Sequence, residues 1–115
     1  MLSGARVTTG GVWTNASSRA LKENILELGT QTAIEAVKSL SPVTFNYLTE
    51  SGEKYVGFIA EDVPEIVASS DRKSLSPMDI TAVLTKAVQE LLKKNETQEK
   101  KIMELEELMQ ELIQD

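Results

Sequence analysis

The sequence predicts an α+β chain: a small body of short helices and a β-hairpin, followed by a long C-terminal helix forming a parallel trimeric coiled coil. Three observations predict it. From Leu84 the positions three and four apart hold Val88, Leu91, Asn95, Gln98, Ile102, Leu105, Met109 and Leu112, the heptad seam of helices that wrap around one another. Two runs of branched and aromatic residues, Val43-Thr44-Phe45-Asn46-Tyr47 and Tyr55-Val56-Gly57-Phe58-Ile59, flank the turn-forming Glu50-Ser51-Gly52-Glu53 and read as a hairpin. Ahead of them, Thr30 to Leu40 places Ala33, Ile34, Val37 and Leu40 at helical spacing.

The elements follow in order. Residues 1–16 are polar, glycine-bearing and β-leaning, and read as one or two extended segments broken at Gly10-Gly11. Trp13, the single tryptophan, is expected to anchor a short strand on the body. The opening Met1-Leu2-Ser3-Gly4 reads as a translation start or as the start of a fragment of a longer protein. Residues 18–28 suit a short helix with Leu21, Ile25 and Leu28 on one face and Gly29 at its end. The helix from Thr30 has Thr30 or Thr32 as candidate cap and is closed by Ser41-Pro42. Glu61 to Val67 suits one or two helical turns, with Pro64 tolerated only near a start, and Ser69 to Ser74 is a polar exposed loop. Ser76 is then an N-cap, Pro77 takes the first helical position, and Asp79 stands near the free amides. Nothing breaks the pattern from Pro77 to Asp115, 39 residues or roughly 58 Å of helix.

Within the seam, Val88, Asn95, Ile102 and Met109 take a positions, and Leu84, Leu91, Gln98, Leu105 and Leu112 take d. Lys94 and Lys101 fall at g, within reach of Glu99 and Glu106 at e on a neighbouring chain, which supports parallel strands. Leu92, Leu108 and Ile113 at e and g widen the apolar stripe and favour three strands over two. Asn95 and Gln98 put adjacent polar layers mid-seam, lowering stability while penalising shifted registers. A body of about 76 residues is marginal alone, so association supplies much of its burial.

Composition narrows the chemistry. Without cysteine there is neither a disulfide nor a thiolate metal site, and without histidine any proton transfer near neutral pH falls to lysine or a carboxylate. The net charge is −6, and the tail concentrates Glu96, Glu99, Glu104, Glu106, Glu107, Glu111 and Asp115 against Lys100 and Lys101, so it repels nucleic acid and anionic membrane. No apolar run approaches the length of a membrane span. No glycine-rich phosphate loop follows a strand, and no cofactor is expected. Glu61, Asp62 and Glu65 read as a solvated helix face rather than a cation site, and no metal is expected.

One polar cluster carries chemistry. In Ser17-Ser18-Arg19-Ala20-Leu21-Lys22 a serine precedes a lysine by five residues. Lysine can activate a hydroxyl only when neutral, which burial or neighbouring positive charge achieves, and Arg19 has the right sign. An offset of five does not share a helix face, so Ser17 would have to stand just before a helix with the chain turning back. Ser18 and Lys22, four apart, could meet inside one. By spacing alone a capping serine and a solvated lysine explain the same residues.

The neighbouring motifs carry a resemblance. Ser17-Ser18-Arg19-Ala20-Leu21-Lys22-Glu23-Asn24-Ile25, then Val43-Thr44-Phe45-Asn46-Tyr47, then Val56-Gly57-Phe58-Ile59-Ala60-Glu61-Asp62-Val63-Pro64, resemble in order and spacing the peptidase S74 domain, the intramolecular chaperone of phage tailspikes, tail fibres and neck appendages, over roughly Asn15 to Leu92. The resemblance implies a homotrimer of three identical chains that registers the β-rich fibre segment preceding it on the same polypeptide. The domain then releases itself, with Ser17 and Lys22 catalytic and Ala16–Ser17 the scissile bond. Residues 1–16 would end the fibre region, 17–76 form the chaperone body and 77–115 the coiled-coil helix. Assembly would take place in the host cytoplasm, with the parent protein in the virion tail or neck appendage. Where the family often has aspartate after the serine this chain has Ser18, and Glu61 stands where glutamine is frequent. Backbone amides near Leu21 are candidate oxyanion donors. The rival expectations are a non-catalytic trimerisation cap and a cellular module that recruits partners through the acidic helix.

Overall fold

The computed structural model describes residues 4–114. Met1 to Ser3 and the terminal Asp115, on which the translation-start reading and the last residue of the acidic tail fall, lie outside the described residues. The chain is α+β, with two small hairpins, one short helix, three 3-10 turns and one long helix among the described residues.

Strands β1 (Arg6–Val7) and β2 (Trp13–Thr14) pair antiparallel, Arg6 opposite Thr14 and Val7 opposite Trp13. The turn between them closes where Thr8 donates its amide to the Val12 carbonyl at 2.8 Å and Gly11 donates to Thr8 at 2.9 Å. The extended segments and their break at Gly10-Gly11 are as the sequence predicts. Trp13 is not an anchor, however: it is 77% exposed. A two-residue strand places it on an outlying hairpin rather than over the core.

The helix expected over 18–28 does not form. One 3-10 turn, Arg19–Leu21, is followed by extended Lys22 at φ −124°, ψ 152°, and Asn24 takes a left-handed φ of 54°. Asparagine tolerates that conformation where most residues do not. A short helix also needs a buried face to persist, and here Leu21, Ile25 and Leu26 are exposed while Leu28 alone of the intended face packs on the core. Gly29 consequently stands at the start of the next helix, α1 (Thr30–Ser39), not at the end of a preceding one, and no side chain caps it. Thr30 is its first residue, so neither threonine is the cap.

Strands β3 (Val43–Phe45) and β4 (Tyr55–Gly57) pair as expected, with Val43 opposite Gly57 and Phe45 opposite Tyr55. Phe45, Tyr47 and Tyr55 form an aromatic cluster with ring centroids 5.2–5.9 Å apart. Gly57 packs closely under the neighbouring ring: a Cβ there would sit 3.2 Å from Phe45. The Tyr55 hydroxyl donates to Glu50 at 2.9 Å and staples the connecting loop. The hairpin covers the helices less than its composition suggests, since Phe58 packs on the core but Val56 faces outward. Two 3-10 turns follow, Ala60–Asp62 and Glu65–Val67, with Pro64 heading the second as its fixed φ favours. The polar loop after them is pinned by the Ala68–Leu75 bridge and by Arg72, whose Nη1 donates to the Val63 carbonyl at 3.0 Å. At its tip Asp71 accepts from Ser69 Oγ and from the Lys73 amide.

Helix α2 (Pro77–Ile113) begins with Pro77 at its head and Asp79 in its first turn. Ser76 occupies the N-cap position but contributes its carbonyl, accepting from the Asp79 amide at 3.1 Å, rather than its hydroxyl. The core is where α1 crosses the start of α2: Ala33, Ala36, Val63, Val67, Ile80 and Val83 bury one another, edged by Leu28, Val37, Leu40, Phe58, Ala68 and Leu75. Small residues on α1 let the two helices approach closely. Ala36, absent from the expected apolar face, is more buried than Ile34 or Val37 for that reason. The core is slight; among the described residues its largest fully buried side chain is Val67.

Beyond Glu90 every described residue of α2 is exposed. The radius of gyration is 21.4 Å and the longest dimension 75 Å, against about 13 Å for the radius of a compact chain of this length. The helix therefore leaves the body as an arm. Ile80, Val83 and Ala87 face inward, whereas the seam from Leu84 onward lies on another face, with Leu91 64% and Leu112 79% exposed.

Candidate functional site

Ser17 and Lys22 meet through local backbone. Ser18 is extended at φ −64°, ψ 142°, and its Oγ accepts from the Ala20 amide at 3.3 Å, capping the 3-10 turn. Leu21 then donates its amide to the Ser18 carbonyl at 3.1 Å and Lys22 to the Arg19 carbonyl at 3.0 Å. This tight reversal, with Lys22 extended at its exit, carries the lysine side chain back over the preceding residues. Its Nζ lies 2.7 Å from Ser17 Oγ.

The geometry separates the two serines that spacing left open. Ser17 stands just before the turn and contacts the amine; Ser18, four residues from Lys22, is occupied as a cap. The Leu21 amide, a sequence candidate for stabilising an oxyanion, is consumed by the turn itself. Both Ser17 and Lys22 are exposed in the single chain. A hydroxyl and an amine at this distance can pass a proton in either direction, and only a neutral amine can accept one.

The segment bearing the pair is tied to the rest of the fold downstream. Leu28 packs against the core, and Glu27 pairs with Lys86 of α2 across 3.5 Å. Upstream, Ala16 lies beside Gly4: a Cβ built on Gly4 would stand 2.6 Å from the Ala16 Cβ, and Gly4 takes φ +81°. Sequence reading did not single out Gly4. The signal is the register: the pairing that sets Arg6 opposite Thr14, continued outward, sets residue 4 opposite residue 16.

The seam residues Leu84, Val88, Leu91, Asn95, Gln98, Ile102, Leu105, Met109 and Leu112 all lie on α2 and are all exposed. Among the described residues no group of carboxylates is arranged to hold a metal ion, and no helix is long and apolar enough to cross a membrane. Glu61, Asp62 and Glu65 fall on two separate 3-10 turns, which disperses them.

No curated protein matches the chain. Residues 17–72 match the peptidase S74 family, described as the chaperone of endosialidase. The match begins at Ser17 and takes in the turn, α1, both strands of the second hairpin and the two 3-10 turns that follow.

Proposed function

We propose, on the premise that residues 17–72 are a peptidase S74 segment, that this chain is an intramolecular chaperone which trimerises and registers a preceding phage fibre or appendage segment and then cuts itself free at Ala16–Ser17. The observation that carries the reading is the 2.7 Å contact between Lys22 Nζ and Ser17 Oγ at the first residue of that segment. Neutral Lys22 takes the Ser17 hydroxyl proton. The oxygen attacks the Ala16 carbonyl carbon, the peptide bond from that carbon to the Ser17 nitrogen breaks, and the leaving nitrogen takes up the proton that Lys22 accepted. Water then hydrolyses the Ala16 ester, leaving a carboxylate on Ala16 and a free hydroxyl and amine on Ser17. Attack on a residue's own preceding carbonyl is awkward in relaxed backbone, so close packing must align it.

The exposed seam supports the assembly half. Six apolar side chains, Val88, Leu91, Ile102, Leu105, Met109 and Leu112, project from α2 without cover, each contributing about 1.5–3 kcal/mol on full burial. A parallel trimeric coiled coil of identical chains covers them, and the widened stripe at Leu92, Leu108 and Ile113 suits three strands. Assembly of this kind belongs in the host cytoplasm, with the parent fibre carried in the virion tail or neck appendage. Docking of neighbouring chains also offers Lys22 the burial that the single chain withholds, which makes cutting follow assembly.

A second reading, a permanent trimerisation cap without chemistry, draws on the same exposure of Lys22. Mass measurement and N-terminal sequencing of the expressed chain separate the two. The first expects a 99-residue product beginning at Ser17, lost in Lys22→Ala with trimers retained. A folded trimer that stays whole leaves the second.

A further inference from the structure

Gly4 meets Ala16 more closely than paired strands ordinarily allow. Opposed Cβ atoms in an antiparallel pair stand about 4.5–5.5 Å apart, yet a Cβ on Gly4 would fall 2.6 Å from that of Ala16. The contact is to a short, stiff side chain with no flexible end to swing away. The ladder through Arg6–Thr14 and Val7–Trp13 leads to this point, and Thr14 Oγ1 adds a 3.4 Å bond back to the Arg6 carbonyl. At Gly4, beside Ala16, the backbone turns left-handed, φ +81°. The hairpin thus ends with Gly4 beside the residue whose carbonyl Ser17 would attack.

We infer that Gly4 is a positioning residue for the Ala16–Ser17 bond: its missing side chain lets the backbone at position 4 lie against Ala16 and hold the carbonyl in line with the Ser17 hydroxyl. The inference rests on the cleavage reading above. In this role Gly4 acts through Ala16. A side chain at position 4 displaces Ala16 and with it the carbonyl. Because misplacement by an ångström costs an aligned reaction heavily, cutting slows by about 10- to 100-fold.

The test follows release of the Ser17 product over time, by mass, in the full chain and in Gly4→Ala, Gly4→Asn, Ala16→Gly and the double variant Gly4→Ala/Ala16→Gly, with sedimentation to establish assembly. Asparagine tolerates the left-handed backbone but brings a Cβ, so it separates contact from conformation. The inference expects both Gly4 variants to slow while still assembling, and the double variant to cut as fast as Ala16→Gly alone, because removing the opposing methyl relieves the collision. Release from either Gly4 variant at the parent rate overturns it, as does a double variant no faster than Gly4→Ala. If the Gly4 variants do not assemble, the comparison of the double variant with Ala16→Gly decides: equal rates support the inference and a residual deficit overturns it. A parent chain that never cuts is a different result, which fails the cleavage reading and takes this inference with it.

Discussion

Ser17 Oγ and Lys22 Nζ stand 2.7 Å apart because a single 3-10 turn, capped by Ser18, reverses the chain between them. Sequence-distant packing is not needed to bring them together. The contact is a local property of six consecutive residues, whereas the environment that would neutralise the amine is not.

That division predicts unequal effects at the two serines. Ser17→Ala removes the proposed nucleophile and should abolish the product beginning at residue 17. Ser18→Ala removes only a cap, worth about 0.5–2 kcal/mol at a helix start, and leaves a slower reaction that still cuts at the same bond. Cutting that survives Ser17→Ala but not Ser18→Ala reverses the assignment. Lys22→Ala is expected to slow release by about 100-fold or more, and an undiminished rate there removes the lysine from the chemistry.

The seam predicts coupling between assembly and cutting. Leu91→Asp puts a charge into a layer that three chains would bury, and sedimentation should then report one chain instead of three. Release should fall with it, since the dissociated chain leaves Lys22 in solvent. Leu91→Ile keeps the layer apolar and should keep both properties. A dissociated Leu91→Asp chain that cuts at the parent rate breaks the coupling.

The parts of the fold that were legible in sequence are those with strong periodicity or strong punctuation. The 37-residue α2, its proline head and the Phe45–Tyr55 hairpin fall in this group, as do the extended segments flanking Gly10-Gly11. The failed helix at 18–28 shows the limit. Leu21, Ile25 and Leu28 have helical spacing, but spacing does not reveal whether a core exists to receive them, and here only Leu28 finds one. The same blindness applies to Trp13, whose composition suggests an anchor and whose hairpin lies away from the core. At the site, motif order points to Ser17 and Lys22, while Gly4 becomes visible only once strand register is known. The burial of Ala36 likewise depends on how closely α1 approaches α2, a property of the pair rather than of either helix.

The slight core predicts sensitivity at Val67, the largest fully buried side chain among the described residues. Val67→Ala removes two methyls from beneath α1 and α2, at a cost of about 1.5–3 kcal/mol. In a body this small that loss should lower the thermal midpoint by several degrees, read by circular dichroism. Val56→Ala on the outward face of β4 is the control and should move the midpoint little. Equal effects at the two positions contradict the assignment of the core.

The loop that closes the body predicts an acid response. The Lys73 amide and then the Ser69 hydroxyl, both donating to Asp71, hold its carboxyl below the ordinary value of 3.8. The sign follows from which state binds the proton less readily. The folded loop favours the carboxylate, so its contribution is fully present above the unfolded value, and it is lost as pH falls through the lower folded one. Asp71 is exposed, which makes this a local loosening of the turn before Leu75 rather than global unfolding. Following the Asp71 carboxyl and the Lys73 amide by NMR from about pH 5 to about pH 2 should give a shared midpoint below the ordinary aspartate value. Asp71→Asn should flatten the Lys73 titration. A midpoint at or above 3.8, or an unchanged Lys73 titration in Asp71→Asn, means the bonds to Ser69 and Lys73 do not hold the loop in solution.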